Sequence, residues 1–296
     1  MAESRLLKDM SRQVSLRPVI VAGVISALLM AQEGTATAQE SGDPNPGALT
    51  VTGGVDFLPG TPYIFRGFVQ EAEPKITLWP YFDLGFALMS GDGAIKSAGV
   101  SVGLWSSVHT GSSGSDGPTA KAHYEQDFYV TLNLGFGGGV GLGATYMALT
   151  SPNDLFDTTK ELQFKVTKAH MLNPYGFVAI ELTDISADGG ESKGSYLELG
   201  VSPGLPLGSD KVTVNIPVKL GLSLKDYYEL NGQDKRFGFF DVGALVTVPL
   251  TGLPKSFGSW NLHGGLDIVV MGDRTKLSND DESSKVTGLI GVGLSY

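Results

Sequence analysis

Residues 211–225 read KVTVNIPVKLGLSLK. Val212, Val214, Ile216, Val218, Leu220, Leu222 and Leu224 take every second place, and Thr213, Asn215, Pro217, Lys219, Gly221, Ser223 and Lys225 fill the places between. Successive side chains of a strand point to opposite faces, so the stretch builds one apolar wall and one polar wall. Pro217 has no N–H to give to a neighbouring strand, which predicts a local departure from the ladder such as a bulge. The run exceeds the roughly five or six residues usual in a soluble sheet and suits a tilted bilayer crossing of about ten.

Outward from this run in both directions, eleven others obey the same rule, from Leu49/Val51/Val55/Phe57 at the start to Ile290/Val292/Leu294/Tyr296 at the end. About twelve strands are predicted over residues 49–296, and no helix. The connectors alternate in kind. One set is long and polar, as in TGSSGSDGPTAKA (110–122) and GDRTKLSNDDESS (272–284); the other tends to be shorter and richer in Gly or Pro, as in SGDGA (90–94) and GLPLGSD (204–210). An even strand number with long loops at one end and tight turns at the other predicts an all-β, up-and-down antiparallel transmembrane β-barrel. The last strand closes it against residues 49–57, and both termini lie at the short-turn end. A secreted antiparallel sandwich also alternates. Strand length favours the barrel, as does a polar face rich in Gly, Ser and Thr, small enough for a crowded interior.

The chain before residue 49 has a different character. Arg5, Lys8, Arg12 and Arg17 precede the apolar run VIVAGVISALLMA (19–31), and Ala36 and Ala38 supply small residues at −3 and −1 of a cleavage site. This predicts a cleaved export signal over residues 1–38, since thirteen apolar residues fall short of the roughly 20 that cross a bilayer as a helix. Residues 39–48, QESGDPNPGA, read as a flexible N-terminal segment. The whole chain carries a formal charge of −10 and no Cys. The leader takes four of its 21 basic and three of its 31 acidic residues, so the remainder is more acidic still. That balance excludes nucleic acid as a partner, and the missing thiols exclude disulfides and thiolate metal sites.

The connector after the first run contains Tyr63-Ile-Phe65-Arg66-Gly67-Phe-Val-Gln70, between VTGGVDF and PKITLWPYFDLGF. Tyr63, Phe65, Arg66, Gly67 and Gln70 resemble the opening motif of the TorF-type family of porin-like barrels of diderm bacteria. YEQDFYVTLNLGF and NPYGFVAIEL are similar more loosely. The resemblance implies an outer-membrane channel of unassigned solute, with no catalytic residues and no cofactor.

Enzyme motifs fail on context. Gly99-Val-Ser101-Val-Gly103 fits a nucleophile elbow but lies inside an alternating run, where the motif needs strand, turn and helix. Gly139-Val-Gly141-Leu-Gly143-Ala144 fits a dinucleotide fingerprint with no helix after it. His109, His123, His170 and His263 share no ligand spacing, and Asn279-Asp280-Asp281-Glu282 lacks the spacing and the Gly of a calcium loop, so it reads as solvated loop charge, with weak divalent-ion binding as the alternative.

The inward faces carry more information. By alternation they hold Asp83, Glu125, Asp127, Glu161, Glu181, Glu198, Asp241 and Asp267 against Lys165, Lys219 and Lys225, with Arg66 near the mouth. Charges cannot face lipid cheaply, so they face the lumen or one another. Trp79, Tyr81, Trp105 and Tyr129 fall on the same faces, either as a stacking platform for a ring-shaped solute or as filling. Tyr124, Tyr146 and Trp260 read as anchors at the membrane interface. Tyr296, a terminal aromatic on a closing strand, reads as the signal that hands the chain to the barrel-assembly machinery.

The expected function is passive diffusion of small polar solutes across the outer membrane, neutral or cationic ones preferred. The alternatives are a lipase-like enzyme in the same kind of barrel, which needs a Ser–His pair at the outer rim, and a plugged structural or adhesive barrel.

Overall fold

The computed structural model describes residues 49–115, 121–183 and 192–296. The predicted signal, with Ala36 and Ala38, and the segment 39–48 lie outside the described residues. Twelve antiparallel strands follow one another around a closed barrel: β1 (Leu49–Leu58), β2 (Thr77–Ser90), β3 (Ile95–His109), β4 (His123–Phe136), β5 (Val140–Thr150) and β6 (Thr159–Lys168). Then come β7 (Tyr175–Glu181), β8 (Ser195–Val201, resumed as Gly204–Leu207), β9 (Ser209–Asn215, resumed as Val218–Lys225), β10 (Phe237–Pro249), β11 (Ser259–Met271) and β12 (Ser284–Ser295). Each alternating run of the sequence is one of these strands.

Closure is between the first strand and the last. Thr52 pairs with Ser295 and Phe57 with Ile290, and Tyr296 exchanges backbone bonds of 2.6 and 2.7 Å with Val51. Closure leaves no unpaired edge around the barrel wall, which is the condition for strands to cross a bilayer. At Pro217 the ladder is interrupted without a slip. Asn215 faces Leu245 before it and Val218 faces Val242 after it, at the same offset, while the Pro217 carbonyl accepts the Gly243 N–H at 2.9 Å. The predicted departure at Pro217 is thus a gap in bonding that leaves the inside–outside alternation intact.

The barrel is inverted relative to a soluble protein. Its exposed side chains include Phe82, Phe86, Phe128, Val130, Leu262, Leu266 and Ile290, all on the outer face of the strands. Its buried ones include Asp56, Asp127, Glu161, Gln163, Lys219 and Asp241.

Inward glycines have a geometric cause. A Cβ on Gly103 would meet the Tyr129 ring at 2.4 Å, one on Gly200 the Tyr175 ring at 2.4 Å, and one on Gly54 the Tyr81 hydroxyl at 2.5 Å. Each of these tyrosines is the direct cross-strand partner of its glycine. The ring lies flat over the neighbouring strand because nothing rises from it, which lets large side chains line a narrow lumen.

The connector between β1 and β2 does not stay outside. Tyr63–Phe65 and Phe68–Glu71 pair only with each other and form a separate small hairpin. Tyr63, Phe65, Phe68 and Glu71 are all buried. Its tip has positive φ at both central residues, 45° at Arg66 and 85° at Gly67, the signature of a tight two-residue turn.

Candidate solute pathway

The hairpin crosses the lumen from wall to wall. Tyr63 and Phe65 join Trp79, Trp105, Tyr124, Met147 and Leu149, which rise from β2 to β5. Phe68 joins Phe177, Tyr196, Phe239, Val269 and Met271, from β7, β8, β10 and β11. Tyr63 stacks edge-on to Trp79 at 5.2 Å, with Trp105 5.5 Å from Trp79. The two tryptophans are therefore covered by the chain's own tyrosine, whereas Tyr81 and Tyr129, nearer the short turns, remain half-buried.

Arg66 sits at the centre of this plug. Its guanidinium gives Nη1–H and Nη2–H to the two oxygens of Glu161 at 2.7 and 2.9 Å, and a further bond to the Tyr227 hydroxyl at 2.8 Å. The rings of Phe65, Phe177, Tyr196 and Tyr227 stand 4.7 to 5.6 Å from its Cζ. Burial works against this charge, and Glu161 together with Tyr227 and Tyr196 more than offsets it. The need for a cation is legible in the wall, because Glu161 lies directly opposite Glu181 across the β6–β7 ladder. Glu181 in turn accepts the Gly194 N–H at 2.6 Å. Two residues along β6, Gln163 donates to Glu161 at 2.5 Å. Glu125 accepts the Tyr63 hydroxyl at 2.5 Å. Burial, with Glu125 and Asp127 alongside, pushes the Tyr63 phenol well up, so it remains a donor.

The long loops clamp the hairpin from above. Tyr228 donates to the Arg66 carbonyl at 3.0 Å, the Val69 N–H bonds the Ser278 hydroxyl at 2.9 Å, and Arg274 covers the Phe68 ring at 5.0 Å. A Cβ on Gly67 would stand 3.0 Å from both Phe239 and Thr275. Gln70 accepts the Tyr124 hydroxyl at 2.7 Å. Glu71 accepts the N–H and hydroxyl of Ser113 at 2.8 and 2.7 Å. Burial alone would raise the Glu71 carboxyl, but these bonds and one from the Glu73 N–H hold it below the usual glutamate range. Behind Ser113 the chain of contacts continues through His109 Nε2 (2.9 Å), His109 Nδ1 to Ser107 (2.8 Å), and Trp79 Nε1–H to Ser107 (3.1 Å).

At the short-turn end the walls are less covered. Asp83, Tyr129, Lys165, Tyr175 and Glu198 are half-buried. Lys165 lies 5.0 Å over the Tyr175 ring, and Glu198 accepts the hydroxyls of Tyr175 and Tyr196 at 2.6 and 2.5 Å. Lys219 pairs with Asp241 at 3.0 Å, with Asp267 on the next strand. His263 bonds Asp56 at 2.8 Å and Asn261 at 2.9 Å.

Two sequence expectations change. Tyr124 is buried in the lumen instead of anchoring the membrane interface, because Val108 pairs with His123 while Ser107 pairs with Glu125, and the extra residue in this bulge turns inward. Lys225 stands exposed at the strand end, 3.6 Å from Asp226, and joins none of the buried pairs of the interior. Tyr146 is exposed on the outer face, and Trp260 donates to the Phe257 carbonyl at 2.7 Å in the turn before it. The Ser107–His109–Ser113–Glu71 contacts leave no local spacing signal in the sequence. They lie within the lumen and its loop cap, away from the outer rim where a lipase would need them. Among the described residues no group of three or more His, Asp or Glu side chains is arranged to hold a metal ion. Asn279 turns inward to bond the Glu282 carbonyl at 3.0 Å, closing the 279–282 loop on itself.

No family model matches this chain, and no curated relative does. Among solved structures it is similar to the COG4313 outer membrane channel from Pseudomonas putida F1, at 10% identity over 88% of this chain and 100% of that one, with a TM-score of 0.49. The NanC porin has 12% identity, coverage of 83% and 99%, and a TM-score of 0.42. Outer membrane phospholipase A from Escherichia coli has 12% identity, coverage of 83% and 92%, and a TM-score of 0.43. At such values these likenesses carry no argument about what this chain does.

Proposed function

We propose that the chain is an outer-membrane channel of the porin kind, passing small polar solutes, with its long loops outside and its termini in the periplasm. One observation carries the reading: a closed barrel whose outer face is an apolar belt and whose interior is lined by charged and hydroxyl side chains. Water cannot face that belt cheaply, and lipid cannot face that interior. The TorF-type resemblance at residues 63–70 points the same way.

Glu125, Asp127, Glu161, Glu198, Asp241 and Asp267 on the wall outweigh Lys165 and Lys219 there and Arg66 on the hairpin. Such an excess in a narrow aqueous passage favours cations and neutral solutes over anions. Solute passes only where the hairpin at residues 63–71 shifts within the lumen or leaves it. No covalent step and no cofactor enters this mechanism.

A second reading, a plugged structural barrel, is favoured by the full seating of that hairpin. Purified protein in a planar bilayer decides between them. The channel gives current steps whose reversal potential in a salt gradient has the sign of cation preference. No steps at any voltage, or anion preference, would refute it.

A further inference from the structure

The cradle around Arg66 has the chemistry of a ligand site, and its occupant belongs to the protein. A carboxylate meets a guanidinium through two parallel bonds, and four aromatic rings surround the cation. Three of those rings, Phe177, Tyr196 and Tyr227, together with Glu161, come from the barrel wall and the loop after β9, and only Phe65 comes from the hairpin itself. The receptor is therefore almost complete without the hairpin.

A second observation concerns Asp127. It is fully buried, shares a side-chain hydrogen bond with Glu125, and lies with Glu125 within electrostatic reach of Arg66. The wall thus brings two carboxyls besides Glu161 close enough to act on a cation held there.

The third is the backbone. Arg66 has φ of 45°, a left-handed conformation that disfavours a side chain bearing a Cβ, and the first place of such a turn is best filled by Asn, Asp or Gly. An arginine is held where the turn alone would not choose it.

We infer that Glu161, Phe177, Tyr196 and Tyr227 form a binding site for guanidinium-bearing solutes, that Arg66 fills it as a tethered pseudo-ligand, and that a free guanidinium competes with Arg66 and loosens the hairpin. The planar fork and the ring faces select guanidinium over a point-like ammonium. A ligand that binds only the undocked state shifts the population toward it. The transport consequence rests on the channel reading; the binding site does not.

The test uses the full chain in detergent with methylguanidinium as probe and methylammonium at equal ionic strength as control. In Arg66→Ala the hairpin exchanges amide hydrogens faster. Methylguanidinium slows that exchange saturably, at least tenfold more effectively than methylammonium, and Arg66→Ala/Glu161→Gln loses the response. In the wild-type chain, which needs no mutant to fold, methylguanidinium has the opposite effect and speeds exchange at residues 63–71 by several-fold. Equal effects of the two cations, or none, would overturn the proposal. Exchange that responds while bilayer current does not supports the site and refutes the channel.

Discussion

Replacing Glu161 by Gln removes one charge from the middle of the plug and leaves its shape. In the wild-type chain both carboxylate oxygens are taken by Arg66, and both side chains are nearly or wholly out of water. A glutamine offers one acceptor and sets an NH2 group against the guanidinium. The arginine then loses the carboxylate bonded to it while staying buried, a change that costs about 3–5 kcal/mol in comparable buried pairs. The barrel ladders do not include the hairpin, so the cost falls on docking of the hairpin and not on the wall. At about 1.4 kcal/mol per factor of ten, the undocked population rises between about a hundredfold and a few thousandfold. Trypsin reads this directly. The bond after Arg66 is buried in the wild-type chain, and cleavage follows the population of the opened form. Glu161→Gln is cut between Arg66 and Gly67 at a rate higher by about that factor, while the barrel keeps its folded mobility on an unheated gel. Unchanged cleavage in a folded barrel would refute the claim that this ion pair seats the plug.

The remaining expectations concern the clamp, the wall and the closing strand. Because the Glu71 carboxyl is held below its ordinary value of 4.5, its grip on Ser113 is fully present above that pH and is lost as pH falls through the lowered value. Protonation of His109, on the other side of Ser113, opposes that loss by favouring the carboxylate. Amide exchange at Ser113 therefore accelerates in acid beyond its intrinsic rate, and Glu71→Gln abolishes the acid dependence; an identical pH profile in both proteins would contradict the clamp. Gly103→Ala drives a Cβ into Tyr129 and destabilises the barrel by about 1–3 kcal/mol. Adding Tyr129→Ala relieves the clash, so strictly additive denaturation midpoints in the double mutant would refute the ring-over-glycine joint. Deleting Tyr296 removes two backbone bonds to Val51 and the proposed assembly signal. Folded barrel in the membrane falls several-fold with unit conductance unchanged, and normal yield would count against the signal.

The barrel was legible because a strand facing lipid on one side and a crowded polar lumen on the other leaves a period of two in its sequence. Lys211 to Lys225 shows that period across a proline, and the ladder keeps its register there. Glycines such as Gly103 were legible as small, although the ring each one admits belongs to another strand. The plug left a weaker trace. Arg66 meets Glu161 and Tyr227, 95 and 161 residues away, distances over which no local pattern carries information. A usable signal was present in composition: Tyr63, Phe65, Phe68, Tyr227 and Tyr228 put five aromatics in connectors that a solvated loop has no reason to contain. The inward turn of Tyr124 is hidden for a different reason, since a bulge breaks the strand's alternation there. The contacts from Trp79 to Glu71 depend on a loop folding back onto a strand end, which spacing does not encode.

Whether a conducting polar lumen is blocked by its own hairpin is decided by replacing residues 63–71 with a short Gly-Ser turn and recording both proteins in a planar bilayer. The wild-type chain then gives rare or small openings, and the variant a steady, ohmic, cation-preferring current. Equal conductance in the two proteins, or a silent variant whose barrel is folded, would contradict a conducting lumen blocked in this way.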